Sequence, residues 1–568
     1  MRKLLPLIFV AACGGSTPAP TTTPKGDAYA TFVEDYFGAR QAWSPSRATA
    51  EGFHQYDQKL EDRSRGRIDA RVAELHAFKT RLETIDRGKL GFEDQLDAQM
   101  LASDIDGELL RLETLKLFER NPMSYAGGGG SGIDGLMKRN FAPGPERARS
   151  VIARLRQVPA LYAAGKANLR DPAKEFTDVA IIMSKGAMIF FETSVPTWGR
   201  EATGGDAALM AELEKAAGEA LAAARDFNGW LEKDLKPRST GSYAVGAETY
   251  AALLRADEMV TMPIPELLAI GEAQLAKDHE AFIATARNID ATKTPAEVMS
   301  AMSADHPTAD DLIPAVARSL EEVRSYVVEK GIMTVPSEVR ARVAETPLYD
   351  RGSSFASMDT PGPFEEKATE AFYYVTPVEK EWDAKRKDEH LRLYNRPVIA
   401  LIDIHEAYPG HYVQFLYAPR FATKTRKLTG AATNSEGWAH YAEQMMIDEG
   451  FGGGDPRYRL AQLSEALVRD CRFVTGIKLH TAGWTVEQGA KLCEEKGFME
   501  PANAFEEARR GTFDPTYLYY TLGKLEILKL RDEYRQKTGA SLKQFHDTFI
   551  AQGPLPIPLV RKALLERD

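Results

Sequence analysis

From about residue 28 onward, apolar residues recur at intervals of three and four almost without interruption. Stretches 66–86, 91–118, 145–170, 206–234 and 264–288 place them on one face among Ala, Leu, Glu, Lys and Arg, a pattern that predicts long amphipathic helices. Period-two alternation is scarce: 373–378 is the best strand candidate, and 398–404 is ambiguous between strand and helix. Two breaks stand out. The glycine run Gly127–Gly130 interrupts one helical region, and lacks both the Gly-Lys-Ser/Thr continuation and the preceding strand that a phosphate-cradling loop requires, so a mobile loop near a cleft is expected. Proline and glycine through 343–363 predict a long irregular segment, dividing an N-terminal helical part, 28–342, from the part that carries the chemistry, 343–568. There is no internal repeat, and the expected fold class is mainly α with minimal β structure.

The first residues change the picture of where the chain works. A basic start at Arg2 and Lys3, a short apolar run and small residues before Cys13 have the layout of a secretory signal over 1–12. The string Val10-Ala11-Ala12-Cys13 resembles the bacterial lipobox, which implies cleavage before Cys13 and its lipidation. Residues 13–27 then read as a flexible tether. The apolar run is far short of the ~20 residues that span a bilayer, and no other such run is evident, so the expected membrane attachment is the lipid alone. Gly14, in place of an aspartate, points to the outer membrane, hence a periplasmic setting.

A composition of 43% hydrophobic and 27% charged residues is that of a folded protein. The formal charge of −10 becomes −12 once Arg2 and Lys3 leave with the signal, which argues against nucleic acid or anionic lipid as a partner. Only Cys471 and Cys493 remain in the mature chain, so no disulfide framework holds it together and two buried free thiols are expected.

Histidine is sparse, ten in all, yet His405, His411, His440 and His480 fall in one region. Its central string is DIHEAYPGHYVQ, residues 403–414. In the ordinary His-Glu-x-x-His zinc motif the ligands are four apart, about 40° from each other around a helix. Here the interval is six, which on an ideal helix separates the side chains by about 120° and would prevent shared coordination. Pro409 lacks an N–H and its ring clashes with the carbonyl of His405, so with Gly410 beside it the helix is expected to open and return His411 toward His405. Glu406 follows its histidine as in the ordinary motif, placed as a general base.

The second string is NSEGWAHYAEQM, residues 434–445. Glu436 lies 25 residues after His411, room enough for a turn and a return helix, and a carboxylate from a second helix is a common third zinc ligand. Asn434 or Ser435 suits the helix N-cap. His440 and Glu443 share the face of Glu436, which leaves His440 as a rival ligand. Two histidines and a glutamate leave one position open, as catalytic zinc requires. The oxyanion of an amide hydrolysis also needs a donor opposite the ion. Two segments are candidates to supply it: 469–485, with Arg472 and His480, and 514–531, with Tyr517, Tyr519, Tyr520 and Lys524.

The strings HEAYPGH with Gln414, EGWAHYAE, LHTAGWT, DPTYLYYTLGKLEI and GAETYAALLRADEM (246–259) together resemble the family catalogued as domain of unknown function 885, over about 28–565. The resemblance implies a mainly helical, gluzincin-like metallopeptidase fold with a deep cleft, zinc on His405, His411 and Glu436, and catalysis by Glu406. Many members carry a second histidine after PGH, where this chain has Tyr412. Many also carry Pro-Gly-Gln-Ala before the tyrosine of the last motif; by distance to the glycine, the equivalent tyrosine here is Tyr520.

The expected activity is zinc-dependent hydrolysis of short peptides. Tyr520 and His480 are candidates for oxyanion stabilisation, and Arg472, Arg510 and Tyr519 for substrate binding, with Arg509 a further cation that could meet a carboxylate. The competing expectations are a noncatalytic peptide- or metal-binding lipoprotein, which the presence of Glu406 disfavours, and a zinc amidase or esterase acting on a non-peptide substrate.

Overall fold

The computed structural model describes residues 27–347, 351 and 355–566. The signal segment, the lipidation site Cys13 and all of the tether except residue 27 lie outside these. The helical periodicity is realised as helices Arg65–Glu83, Phe92–Leu109, Ala207–Trp230 and Ile264–Ile289. The stretch 145–170 forms two helices, Gly144–Leu155 and Val158–Asn168. Pro159 accounts for the division, because it cannot donate within a continuing helix but sits without cost in a first turn.

Three short strands form one sheet: β1 (Arg342–Glu345), β2 (Ala356–Asp359) and β3 (Phe372–Val375), in the order β1-β3-β2. β1 runs parallel to β3 and β2 antiparallel to it. The candidate strand at 373–378 is therefore present, whereas 343–363, expected to be irregular, contributes two strands. At four residues each they are too short for alternation to register in the sequence. The ambiguous 398–404 is helical, within Arg396–Glu406.

The glycine run is also different from the expectation of a mobile loop. Gly128 and Gly129 take left-handed φ of 56° and 73° in a tight turn, and Gly130 begins the helix Gly130–Lys138. A side chain on Gly128 or Gly129 would collide with Tyr162 or Leu60, so the run is a packed junction.

The largest core cluster takes residues from both sides of position 343. Leu275, Phe282, Val316 and Val323 pack with Tyr373, Ile404, Trp438 and Phe549, so the two helical parts share one interior. A second cluster is built from residues between Leu60 and Leu235 together with Ala368. It includes Ala180, Ile181, Ala187 and Phe190 of the stretch Lys174–Ala202, the one helical stretch among the described residues long and apolar enough to cross a membrane. Cys471 and Cys493 are buried free thiols.

Candidate metal centre

The helix Arg396–Glu406 starts at Asn395, whose side chain caps the Val398 N–H, and ends on His405 and Glu406. Beyond it the backbone leaves the α-helical pattern. The N–H of Tyr408 reaches the carbonyl of Asp403 at 3.1 Å, that of Gly410 reaches Ile404 at 3.1 Å, and that of Val413 reaches Ala407 at 3.3 Å. The last two bonds span six residues instead of four, so two extra residues are looped out and a new helix, His411–Tyr417, begins at the second histidine. The Tyr408–Pro409 peptide is cis. Gly410 is obligatory, since a Cβ there would strike the carbonyls of His405 and Ile404. The outcome is the one the spacing required: the two imidazoles stand 4.9 Å apart, centroid to centroid, at 90°.

Glu436 comes from the helix Ala432–Asp448. Its N-terminus is not capped by Asn434 or Ser435, as the sequence suggested, because the helix starts two residues earlier. The cap is Glu258, whose buried carboxylate accepts the N–H groups of Ala432 and Thr433 at 3.0 and 2.9 Å. Asn434 instead binds the carbonyl of Leu555 at 2.7 Å. Trp438 ties the two motifs together by donating its indole N–H to the Pro409 carbonyl at 2.9 Å, pairing a carbonyl that the helix break would otherwise leave bare.

The same helix crosses Tyr519–Thr538 at a glycine pair. A Cβ on Gly437 would lie 2.6 Å from the Gly523 Cα, and one on Gly523 would strike the Thr433 carbonyl. This contact brings Tyr520 beside the candidate ligands, its ring 6.4 Å from that of His405.

The three candidate ligand atoms converge. His405 Nε2 and His411 Nε2 lie 3.6 and 3.4 Å from Glu436 Oε2, and all three atoms fall within 4.8 Å of one another. Ligands held at ~2.0–2.1 Å in a tetrahedron stand about 3.3 Å apart, so the spacing fits a single zinc ion. Two further observations support the fit. Glu436 Oε2 is buried and has no hydrogen-bond partner, and the far nitrogen of His405, Nδ1, is bound to Glu443 at 2.6 Å, which leaves Nε2 facing the cluster. His411 Nδ1 has a longer contact, 3.3 Å, to the Gln414 side-chain oxygen.

The local field asks for positive charge. Burial opposes protonation of His405, but Glu436 and Glu443 outweigh it and push its pKa up to about 9; His411 is raised as well against the same burial, chiefly by Glu436. Glu436 stays well below the usual carboxylate range despite burial, because of the two histidines. His440 does not join the cluster. It donates Nδ1–H to the other oxygen of Glu443 at 3.0 Å, and burial, reinforced by Lys524, pulls its pKa down to about 3; its place is beside Glu443 and outside the group of three converging ligand atoms. Glu406, half-buried at the helix end, accepts the Met358 N–H of edge strand β2 at 3.2 Å.

The other sequence candidates separate by position. Burial raises the pKa of the Tyr520 hydroxyl and Glu436 adds to the effect, while Arg472, Arg469 and Arg510 oppose it; the guanidinium groups of Arg472 and Arg469 lie 5.1 and 5.7 Å from the centroid of its ring. Tyr519 donates to Asp514 at 2.8 Å. Arg472 is held by Glu507 through two bonds of 2.7 and 2.9 Å, so the Nε–Nη2 edge of its guanidinium is already taken and is not free to meet a substrate carboxylate as expected. His480 requires a second correction. Its Nε2 is bound to the Gly511 carbonyl at 2.7 Å and its ring lies against Tyr250, eight residues beyond Arg472 and hence about 12 Å farther along the helix, so it is not available at the ligand cluster. Lys524 is fully buried near Asp278, at 3.8 Å. Glu443 and Glu258 are the site residues that sequence reasoning did not assign. The face shared by Glu436, His440 and Glu443 was the available signal for the first; the second lies in the segment 246–259 that carries part of the family resemblance, but nothing in its spacing announced a capping role.

The model of a family described as "Bacterial protein of unknown function (DUF885)" matches residues 45–564. No curated protein is significantly similar to the chain. Among solved structures, a protein from Shewanella oneidensis described as a candidate lipoprotein of unknown function is 26% identical, with a TM-score of 0.79 over 96% of this chain and 100% of that one. A candidate lipoprotein from Colwellia psychrerythraea is 17% identical and superposes with a TM-score of 0.80 over 96% and 99%, which shows the shared fold.

Proposed function

The chain belongs to the DUF885 family, and we propose that it is a zinc-dependent peptidase acting on short peptides. The observation that carries this reading is the convergence of His405 Nε2, His411 Nε2 and Glu436 Oε2, spaced for one tetrahedral ion, with Glu406 adjoining the first ligand. When bound, zinc supplies Lewis acidity toward a carbonyl and toward water at neutral pH. Glu406 takes the proton of the attacking water and passes it to the leaving amine. The Met358 N–H fixes one Glu406 oxygen and leaves the other to act. Tyr520, with its hydroxyl kept protonated by burial, is the donor for the developing oxyanion. Phe415, 43% exposed beside His411, offers an apolar face to a substrate side chain. A gluzincin-like cleft, with the ion at its floor, belongs to the same reading. So does a setting outside the cytoplasm on a lipid anchored at the outer membrane, supported by the Cys13 motif and the descriptions of two solved relatives.

The test is Glu406→Gln. The variant is expected to keep one zinc per chain by elemental analysis and to lose peptide hydrolysis by ~100-fold or more, as removal of a general base does. Near-wild-type turnover would take Glu406 out of the mechanism, and absence of bound zinc in the wild type would remove the enzymatic reading altogether.

A further inference from the structure

The cations beside Tyr520 are not all matched by acids. Arg469 is paired with Glu465 and comes within 3.7 Å of Glu443; Arg472 is locked to Glu507; Arg509 is paired with Glu506. Arg510 differs. It is only partly exposed, yet among the described residues it makes no ion pair and no hydrogen bond, and its guanidinium rests 4.8 Å from the centroid of Tyr517. Asp514, four residues on, accepts a hydrogen bond from the Tyr519 hydroxyl instead. Tyr517 in turn packs 6.4 Å from Tyr520, which packs 6.4 Å from His405. Arg510 is therefore linked to the ligand cluster through Tyr517 and Tyr520, with no ion pair or hydrogen bond of its own among the described residues.

A planar guanidinium in this condition matches one kind of partner best, a carboxylate bound through two parallel N–H bonds. We propose that Arg510 anchors a free carboxylate of the substrate, so that the site engages short peptides by their C-terminal end. This rests on the peptidase reading above. In the reaction the amide C–N bond breaks, the water oxygen joins the acyl carbon, and the proton carried by Glu406 goes to the leaving nitrogen, whose fragment bears the carboxylate held at Arg510. The cation–π contact with Tyr517 holds the guanidinium in place before substrate arrives.

The experiment separates binding from catalysis. Zinc-loaded Glu406→Gln, which does not consume peptide, is titrated calorimetrically with N-acetylated alanine peptides of two to five residues, each as free acid and as C-terminal amide. The free acid is expected to bind about 10- to 100-fold more tightly, the span of one well-made charged hydrogen-bonded pair. Arg510→Met in the same background should abolish the difference and leave the amide affinity unchanged, and Arg510→Lys should restore part of it. Equal affinity for acid and amide, binding of neither, or a preference that survives Arg510→Met overturns the proposal. Failure of the peptidase reading is seen separately, as absence of hydrolysis by the zinc-loaded wild type.

Discussion

Glu443→Gln tests how the ligand cluster is held. Glu443 is 1% exposed and spends its two oxygens on two imidazoles, His405 Nδ1 at 2.6 Å and His440 Nδ1 at 3.0 Å, with Arg469 at 3.7 Å. Glutamine keeps the shape but has one acceptor oxygen. Its amide N–H₂ must then face one of the two N–H donors, or one imidazole must move its proton to the other nitrogen. If His405 does so, it loses the lone pair it would offer to zinc. Loss of such an outer carboxylate costs about 10- to 100-fold in metal affinity, or roughly 1.4–2.8 kcal/mol. The buried donor left unpaired should cost stability as well, about 1–3 kcal/mol. The assay is competition for zinc against a fluorescent chelator at fixed pH, with far-UV circular dichroism and denaturant unfolding in parallel. Zinc affinity within about twofold of wild type, in a variant that is folded, would refute the reasoning, because it would mean that His405 needs no partner on its far side.

Gly523→Ala is expected to destabilise the fold by about 1–3 kcal/mol in denaturant unfolding, since the new methyl meets the Thr433 carbonyl and the Gly437 Cα, both backbone atoms that cannot rotate away; unchanged stability would show that the helices can separate freely. A pH effect follows from Glu258 and Glu526, both raised to about 7 chiefly by burial. The native state then holds protons that the unfolded chain, with glutamates near ~4.3, gives up. Their stabilisation is complete below about pH 4.3 and is lost as pH rises through about 7, by up to roughly 4 kcal/mol per group. Glu526→Gln, permanently neutral, should flatten the fall in stability between about pH 5 and pH 8; an unaltered slope would contradict the assignment.

Much of the candidate cluster of His405, His411 and Glu436 was legible because its logic is local. The clash of Pro409 with the His405 carbonyl and the need for a return path follow from covalent geometry, and the observed six-residue hydrogen bonds are one way to meet them. Glu436 could be anticipated from its type and distance along the chain. What escaped was decided by tertiary placement. His480 lies in a helical segment rich in plausible chemistry, but its phase and distance along that helix turn it to the Gly511 carbonyl. Arg472, Arg509 and Arg510 look equivalent as letters, and only the positions of Glu507 and Glu506 distinguish them. Glu258 caps a helix that begins 174 residues later, a pairing no periodicity could announce. The strands at 342–345 and 356–359 were hidden by their brevity.

The Pro-Gly break has a consequence for how such chains relate to one another. Removing Pro409 and Gly410 on paper leaves His-Glu-Ala-Tyr-His, the ordinary four-residue interval. The looped pair therefore acts as a two-letter edit that keeps the imidazoles together while a new helix begins at the second of them. A search keyed to the shorter interval passes over this chain, although the donor atoms it seeks are in place.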